Sequence, residues 1–469
     1  MPRRLLSRLL LAFAALLTGC TLGPDYARPA DDVPAAFTSP AGREPVLATT
    51  PWWLSLRDPL LEDLVNRARR ANPDIARAQA AVAEARASLA HAQAGGRPQL
   101  NATGGATYGR AFTPPGYYGR AGGYGTAGFD ASWELDLWGK DDRIVESASA
   151  NAEAAQADKD DAMLTLLGDV ARVYVELRGQ QARMATGLAS VANQRQANGL
   201  AARRLEGGDG RRLEILQGST LLLQRQAELP MLQAEIEVRM HALSTLCGEP
   251  PDTLTSLLAP AGPIPQGPVP DAGIPADLLR RRPDVRAAER QLAATVPLIG
   301  AAMAEKYPTL SLSGTLSLSG TGVGGMLMNP LFALSPNISL PLLDGGQRDA
   351  VVDIRRAQAE QARFAYRTAV LKALREVEDA IARLRGESAH RDQLRQTVAT
   401  AQKVVDTVRT LYTAGAIEFL QVLDAQRALN ETRDALAQAE AARTIQIVAL
   451  FKALGGGWQA SETAPAMRR

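Results

Sequence analysis

Asn72-Pro73-Asp74-Ile75 returns as Arg282-Pro283-Asp284-Val285, and Pro98-Gln99-Leu100 returns as Pro308-Thr309-Leu310, both 210 residues later and without a gap between them. Further along, Asp169-Val170 corresponds to Glu376-Val377, Leu213 to Leu420, Leu216 to Leu423 and Gly248 to Gly455, with a common shift of 207. The chain is therefore one architecture written twice, and each half reads helix, two strands, a very long helix, a turn and another long helix. Between the halves, Pro260 to Pro275 is too rich in proline and glycine to continue a helix.

Working outward, the long helices come first. From about Lys140 to Leu205 there is no proline, apolar residues recur three and four apart, and the second-half counterpart runs from about Gln347 to Tyr412. At 1.5 Å per residue, some 65 residues make a rod on the order of 100 Å. Arg, Glu, Asp and Gln punctuate every turn, so these are water-exposed coiled coils and not membrane spans. Small residues such as Ala148, Ala150, Ala152, Ala155 and Ala171 let neighbouring helices approach closely.

The strands have the other period. Leu310, Leu312, Leu316 and Leu318 alternate with serines and a threonine, and Phe332, Leu334, Ile338 and Leu340 alternate with Ala333, Ser335, Asn337 and Ser339. In the first half Phe129, Ala131, Trp133, Leu135 and Leu137 alternate with Asp130, Ser132, Glu134 and Asp136, while Leu100 to Tyr108 is less regular and glycine-rich. Apolar-out, polar-in alternation over about ten residues is the signature of a transmembrane β-barrel. Four strands cannot close one, because an open edge leaves unpaired backbone groups in hydrocarbon. Several chains must contribute, and strand count alone does not separate a dimer from a trimer.

The N-terminus sets the compartment. Arg3, Arg4 and Arg8 precede an uncharged run from Leu9 to Leu17, too short to span a bilayer, and then Leu17-Thr18-Gly19-Cys20. This matches a bacterial lipobox, which implies cleavage before Cys20 and a lipid on its sulfur. Removing residues 1–19 takes three arginines and no acid, so the formal charge moves from +2 to −1. Such a chain has no bulk attraction to nucleic acid. With Cys20 lipidated, Cys247 is left without a disulfide partner and reads as a small apolar helix-end residue. Aromatic residues are only 5% of the chain, a composition that favours long helices.

No catalytic constellation, metal site or cofactor motif emerges. His91, His241 and His390 are scattered among charged helical residues. Gly320-Thr321-Gly322-Val323-Gly324-Gly325 satisfies a dinucleotide-binding pattern literally, but it lies between amphipathic strands and opens no helix. Arg280-Arg281-Arg282 reads as a solvated helix start with Asp284 in the first turn.

With these features in place, the sequence resembles the TolC-like outer-membrane factors, specifically the NodT-type efflux lipoproteins. The resemblance covers essentially residues 20–458. It rests on Cys20 through Pro29, Trp133 through Gly139, Arg281 through Glu289, Leu340 through Gly346, Tyr412 through Gly415, Val422 through Arg427 and Leu450 through Trp458. It implies a homotrimer, lipid-anchored in the outer membrane, with a twelve-stranded β-barrel and a long α-helical coiled-coil barrel reaching through the periplasm. It further implies an exit duct for small molecules such as drugs, docked on a periplasmic adaptor protein coupled to an inner-membrane pump. The alternatives are a periplasmic adaptor lipoprotein or a non-channel structural lipoprotein; neither needs duplicated pairs of amphipathic strands.

The expected organisation is a signal peptide at 1–19, a lipid-anchored segment at 20–60, a first repeat at 61–250, a linker at 251–277, a second repeat at 278–458 and a tail at 459–469. By the resemblance, the pore closes at the periplasmic tip near Gly415. Leu420, Asp424 and Arg427, spaced four and three apart on one helix face, form the gate there. Gly207 through Gly210 makes the first-half turn unusually glycine-rich, and Pro230 is expected to interrupt the helix that returns from it.

Overall fold

The computed structural model describes residues 21–30, 33–37, 51–110, 121–270, 272, 281–321 and 329–456; Cys20 and the expected signal peptide lie outside them. The chain forms α1 (Pro59–Ala71), α2 (Pro73–Gly95), β1 (Gln99–Arg110), β2 (Ala121–Leu135), α3 (Lys140–Glu206) and α4 (Arg212–Leu246). After the short α5 (Thr255–Leu258) come α6 (Pro283–Thr295), α7 (Pro297–Ala304), β3 (Thr309–Thr321), β4 (Asn329–Ser339), α8 (Gln347–Thr413) and α9 (Phe419–Ala453). α3 and α8 are each 67 residues long, and α4 and α9 are each 35. α4 runs unbroken through Pro230, which loses one helical hydrogen bond without ending the helix.

The residues gather into two compact units, each drawing on both halves: 1–30, 81–156 and 287–367 in one, and 31–80, 157–286 and 368–469 in the other. The first unit holds the sheet, an antiparallel meander in the order β1-β2-β3-β4. β2 and β3 pair directly, so the two halves join at the middle of the sheet, with Phe129 opposite Leu316 and Trp133 opposite Leu312. Residues opposite each other share a face. The register therefore places Leu100, Ala102 and Ala106 of β1 beside Ala131 and Phe129 of β2, then Leu312 and Leu316 of β3, then Phe332, Leu334 and Ile338 of β4. Leu331, Ala333 and the Tyr124 ring are the exceptions on the opposite side. That side is otherwise polar: the Asp130 carboxylate accepts hydrogen bonds from Thr103 Oγ1 at 2.7 Å and Thr315 Oγ1 at 3.0 Å.

At the foot of each strand pair an aspartate starts the long helix. Asp136 accepts from the amides of Lys140, Asp141 and Asp142 at 2.7–3.1 Å, and Asp344 accepts from those of Gly346 and Arg348 at 3.0 and 3.2 Å. Asp136, which the strand alternation assigns to the lumen or its rim, is thus also a helix cap.

An N-terminal strap crosses this unit. Leu22 N donates to Trp138 O, Asp25 pairs with Arg143 at 2.7 Å, and Tyr26 Oη donates to Glu289, which also binds Arg290. Gly23, at φ +91°, passes so close to Gly300 that a Cβ on it would sit 2.4 Å from the Gly300 Cα.

In the second unit, α1 starts at the Asp58 cap and buries Leu61, Leu64, Val65 and Ala68 on one stripe. Trp52 stacks on Phe451 with ring centroids 5.4 Å apart. Cys247 closes α4, buried against the Leu64 carbonyl, and burial pushes its thiol up to about 12, so it is an inert packing residue. The inter-half linker is pinned: Arg178 donates to Pro260 O at 2.7 Å, Gln181 to Leu258 O at 2.8 Å and Thr444 to Pro265 O at 2.8 Å.

The duplication also has a structural form here. Asn72 Nδ2 donates to Leu246 O at 2.9 Å, and its counterpart Arg282 donates through Nη1 to Ala453 O at 3.0 Å. Each residue therefore ties the start of its half to the end of that half's returning helix. Arg282 is buried, with Asp284 and Glu376 both at 2.6 Å. The arginine run thus begins a helix with a paired, desolvated charge and not with a solvated one.

Candidate functional site

The two helical hairpins turn by the same device. After α3, Gly208 adopts φ +86°, its amide donates to Leu205 O and that of Asp209 to Arg204 O. After α8, Gly415 adopts φ +76°, its amide donates to Tyr412 O and that of Ala416 to Leu411 O. A left-handed residue with this pair of bonds satisfies the last helical carbonyls and reverses the chain.

An asymmetric latch joins the turns. Arg204 Nη1 donates to Tyr412 O at 2.6 Å, and its guanidinium lies 4.7 Å over the Tyr412 ring. Tyr412 Oη donates to Glu214 at 2.9 Å. Burial, reinforced by Glu214, pushes the Tyr412 hydroxyl up to about 12, so it stays a donor at physiological pH. Beneath it pack Ala197, Ala201, Leu221, Phe419, Val422 and Leu423. One residue from each of α3, α4 and α8 therefore fixes how the two turns sit together.

Of the gate residues expected from sequence, Leu420, Asp424 and Arg427 share an exposed face of α9, while Phe419, Val422 and Leu429 are buried behind them. Asp424 and Arg427 are 3.6 Å apart and at least half exposed. An ion pair so placed contributes at most about 1 kcal/mol within the chain. Sequence reasoning missed the latch: 207 residues away, Leu411, Gln421 and Leu205 stand in the places of Arg204, Glu214 and Tyr412, so the duplication gives no signal for it. Tyr412 heading one of the motifs was the available clue.

The sheet is the second functional surface. Leu100, Phe129, Leu316, Phe332, Leu334 and Ile338 are each more than half exposed on its apolar face. Trp133 stands at the foot of that face and donates its Nε1–H to Gly96 O at 3.0 Å, an amphipathic ring at an apolar boundary. An apolar face of this extent belongs against lipid or another protein. Among the described residues, no helix is long and apolar enough to cross a membrane.

The model of the outer membrane efflux protein family matches residues 64–249 and again residues 274–456. The chain belongs to the outer membrane efflux protein family. It is 32% identical to nodulation protein T of Rhizobium leguminosarum bv. trifolii, over 95% of this chain and 96% of the relative. It is also 32% identical to the pyoverdine export outer membrane protein OpmQ of Pseudomonas aeruginosa, over 89% of this chain and 90% of that one. The solved outer-membrane channel OprN superposes with a TM-score of 0.84 at 32% identity, covering 94% of this chain and all of that one. The mostly helical fold with a four-stranded antiparallel sheet is therefore that of an outer-membrane efflux channel, and the outer membrane is where it acts.

Proposed function

We propose that three copies of this chain close into one duct. Its wall in the outer membrane would be a twelve-stranded barrel, and its periplasmic end would be gated by Leu420, Asp424 and Arg427. The observation that carries this reading is the sheet, with a continuous exposed apolar face and no strand pairing the outer edges of β1 and β4 among the described residues. β4 of one copy pairs with β1 of the next, and no edge remains.

The duplication supports the same closure in the helices. Inside one chain α3 packs on α9, with Arg183 on Asp434 at 2.7 Å and Asn430 on Ser190 at 2.6 Å. The equivalent faces belong to α8 and α4, and they are bare. Leu371, Val404 and Leu216 are 58%, 46% and 57% exposed, whereas their counterparts Leu164, Ala197 and Leu423 are 3%, 8% and 3% exposed. α8 of one copy therefore meets α4 of the next, repeating the contact that α3 makes with α9. Leu420 then supplies an apolar constriction that resists wetting, and Asp424 and Arg427 supply charged contacts between chains. Cys20 carries the lipid anchor, a periplasmic adaptor and an inner-membrane pump feed the duct, and the cargo is small molecules, as the relative named for pyoverdine export suggests. The chain transports its cargo without chemistry on it.

Two measurements test this. Cysteines placed at Leu216 and Val404 should form intermolecular disulfides in a ladder ending at three chains; purely monomeric product would refute the closure. In planar bilayers Leu420→Ala with Asp424→Ala should raise the resting conductance, and the matched first-half change Leu213→Ala with Gln217→Ala should not. Equal conductance in the two double variants would remove the gate.

A further inference from the structure

The two halves part company at one place that the duct does not explain. On α8 and α9, Arg391, Arg395 and Arg443 occupy positions held in the first half by Met184, Leu188 and Ile236. The same helical pairing is thus built without any charge there, and Ile236 is buried in it. The three arginines are not needed to form the helices.

Their pairing leaves a surplus. Arg391 binds Asp392 through Nη2 at 2.6 Å and Nε at 3.0 Å, and Arg395 binds Glu440 at 2.8 Å. Among the described residues, two carboxylates thus answer three guanidinium groups. Arg443 meets no carboxylate among the described residues. Among the described residues its hydrogen bond reaches Gln266 Oε1, on the inter-half linker, at 3.4 Å, and its buried Nε–H meets no acceptor. Burial, together with the charges of Arg391 and Arg395, holds the Arg443 guanidinium below its ordinary value even though Asp392 opposes the trend. A partly desolvated cation facing two like charges is costly unless an anion joins it. The guanidinium fork matches a carboxylate or phosphate through two parallel hydrogen bonds.

We propose that Arg443, with Arg391 and Arg395 beside it and Gln266 as a neutral flank, is a binding site for an oxyanion: a phosphate or carboxylate group carried by a small solute. The site lies within one chain and holds whether or not the trimer reading does.

The test titrates the purified full-length protein with inorganic phosphate and, separately, with succinate. Ionic strength is held constant with chloride, so that general screening is matched. Saturable binding of phosphate alone identifies a phosphate site, of succinate alone a carboxylate site, and of both a site that reads only the shared oxyanion; each outcome supports the proposal. Arg443→Ile, which installs the residue the first half already carries, should weaken binding roughly tenfold or more. Without added oxyanion the same variant should melt at or above the wild-type temperature, because a poorly neutralised charge is gone. Arg395→Leu, at a more exposed position, should show the same loss of binding and covers the case in which Arg443→Ile fails to fold. Absence of saturable binding of both anions to the wild-type protein overturns the proposal. So does undiminished binding in the folded variants.

Discussion

The start of the first half and the start of the second do the same job with different chemistry. Asn72 is a neutral amide that caps α2, accepting from the amides of Asp74 and Ile75, and also holds the Leu246 carbonyl. Arg282 holds the equivalent carbonyl with a buried guanidinium that must itself be neutralised by Asp284 and Glu376. A duplicated fold thus preserves the place where two elements are tied and leaves the kind of tie free to drift. The charged version carries the larger penalty when broken.

Arg282→Ala should therefore have the largest effect, about 3–5 kcal/mol, because two carboxylates lose their partner in a desolvated place. Asn72→Ala should cost only about 1–2 kcal/mol, one cap and one hydrogen bond. Thermal unfolding of both variants in detergent checks the order, and equal losses would mean that the ion pairs contribute nothing beyond the shared carbonyl contact.

In the sheet the halves are expected to be interchangeable. Ala131 and Gly314 face each other across β2 and β3 on the apolar side. Arginine at either should cost up to about 2–4 kcal/mol, the figure that holds at the bilayer midplane, whereas Ser132→Arg, on the polar side, should cost little. Folding into lipid vesicles under urea titration reads this. A tolerated Gly314→Arg beside a disruptive Ala131→Arg would break the equivalence.

The helix ends give a finer contrast. Gly248 and Gly455 both have positive φ, which costs a side-chain-bearing residue about 1–2 kcal/mol. A Cβ on Gly248 would lie 2.2 Å from the Ala71 carbonyl oxygen, whereas one on Gly455 would be 3.1 Å from the nearest atom, Cγ of Arg282. Gly248→Ala should thus lower the melting temperature more than Gly455→Ala.

The smallest effect concerns acid. Burial pushes the Asp161 carboxyl up, with the nearby Asp284 charge adding to the shift. Burial would raise Asp284 too, but the hydrogen bonds and charge of Arg282 outweigh it and hold that carboxyl below the usual range. The raised group favours the folded protein when protonated, so its contribution is lost as pH rises above the unfolded value of about 3.9. The depressed group stabilises above that value and loses its contribution as pH falls through its folded one. Asp161→Asn should therefore gain stability at neutral pH, and the gain should vanish below about pH 4; a gain independent of pH would contradict the assignment.

Much of this fold is legible in the sequence because it is periodic. The ends of α3 and α8 follow from the absence of proline and the 207-residue shift, and the face shared by Leu420, Asp424 and Arg427 follows from helical geometry alone. Even the glycine-rich β1 acquires a clear face once its register against β2 is known. What could not be read depends on partners far along the chain. The run containing Arg282 looks solvated until Glu376, 94 residues away, is placed beside it. Asp136 is hidden for a local reason instead: it continues a strand alternation yet is taken up by the amides of α3 four to six residues on. The latch of Arg204, Glu214 and Tyr412 draws on three helices, and neither period nor repeat announces it.

The strap has a consequence in time. Tyr26 is bonded to a residue 263 positions later, and Gly23 crosses Gly300. At roughly 5–20 residues per second of synthesis, the partner is made on the order of tens of seconds after the strap. This early stretch of the chain is thus among the last to find its place. Through that interval the strap must stay soluble without its site, and its docking waits for the second half to be made.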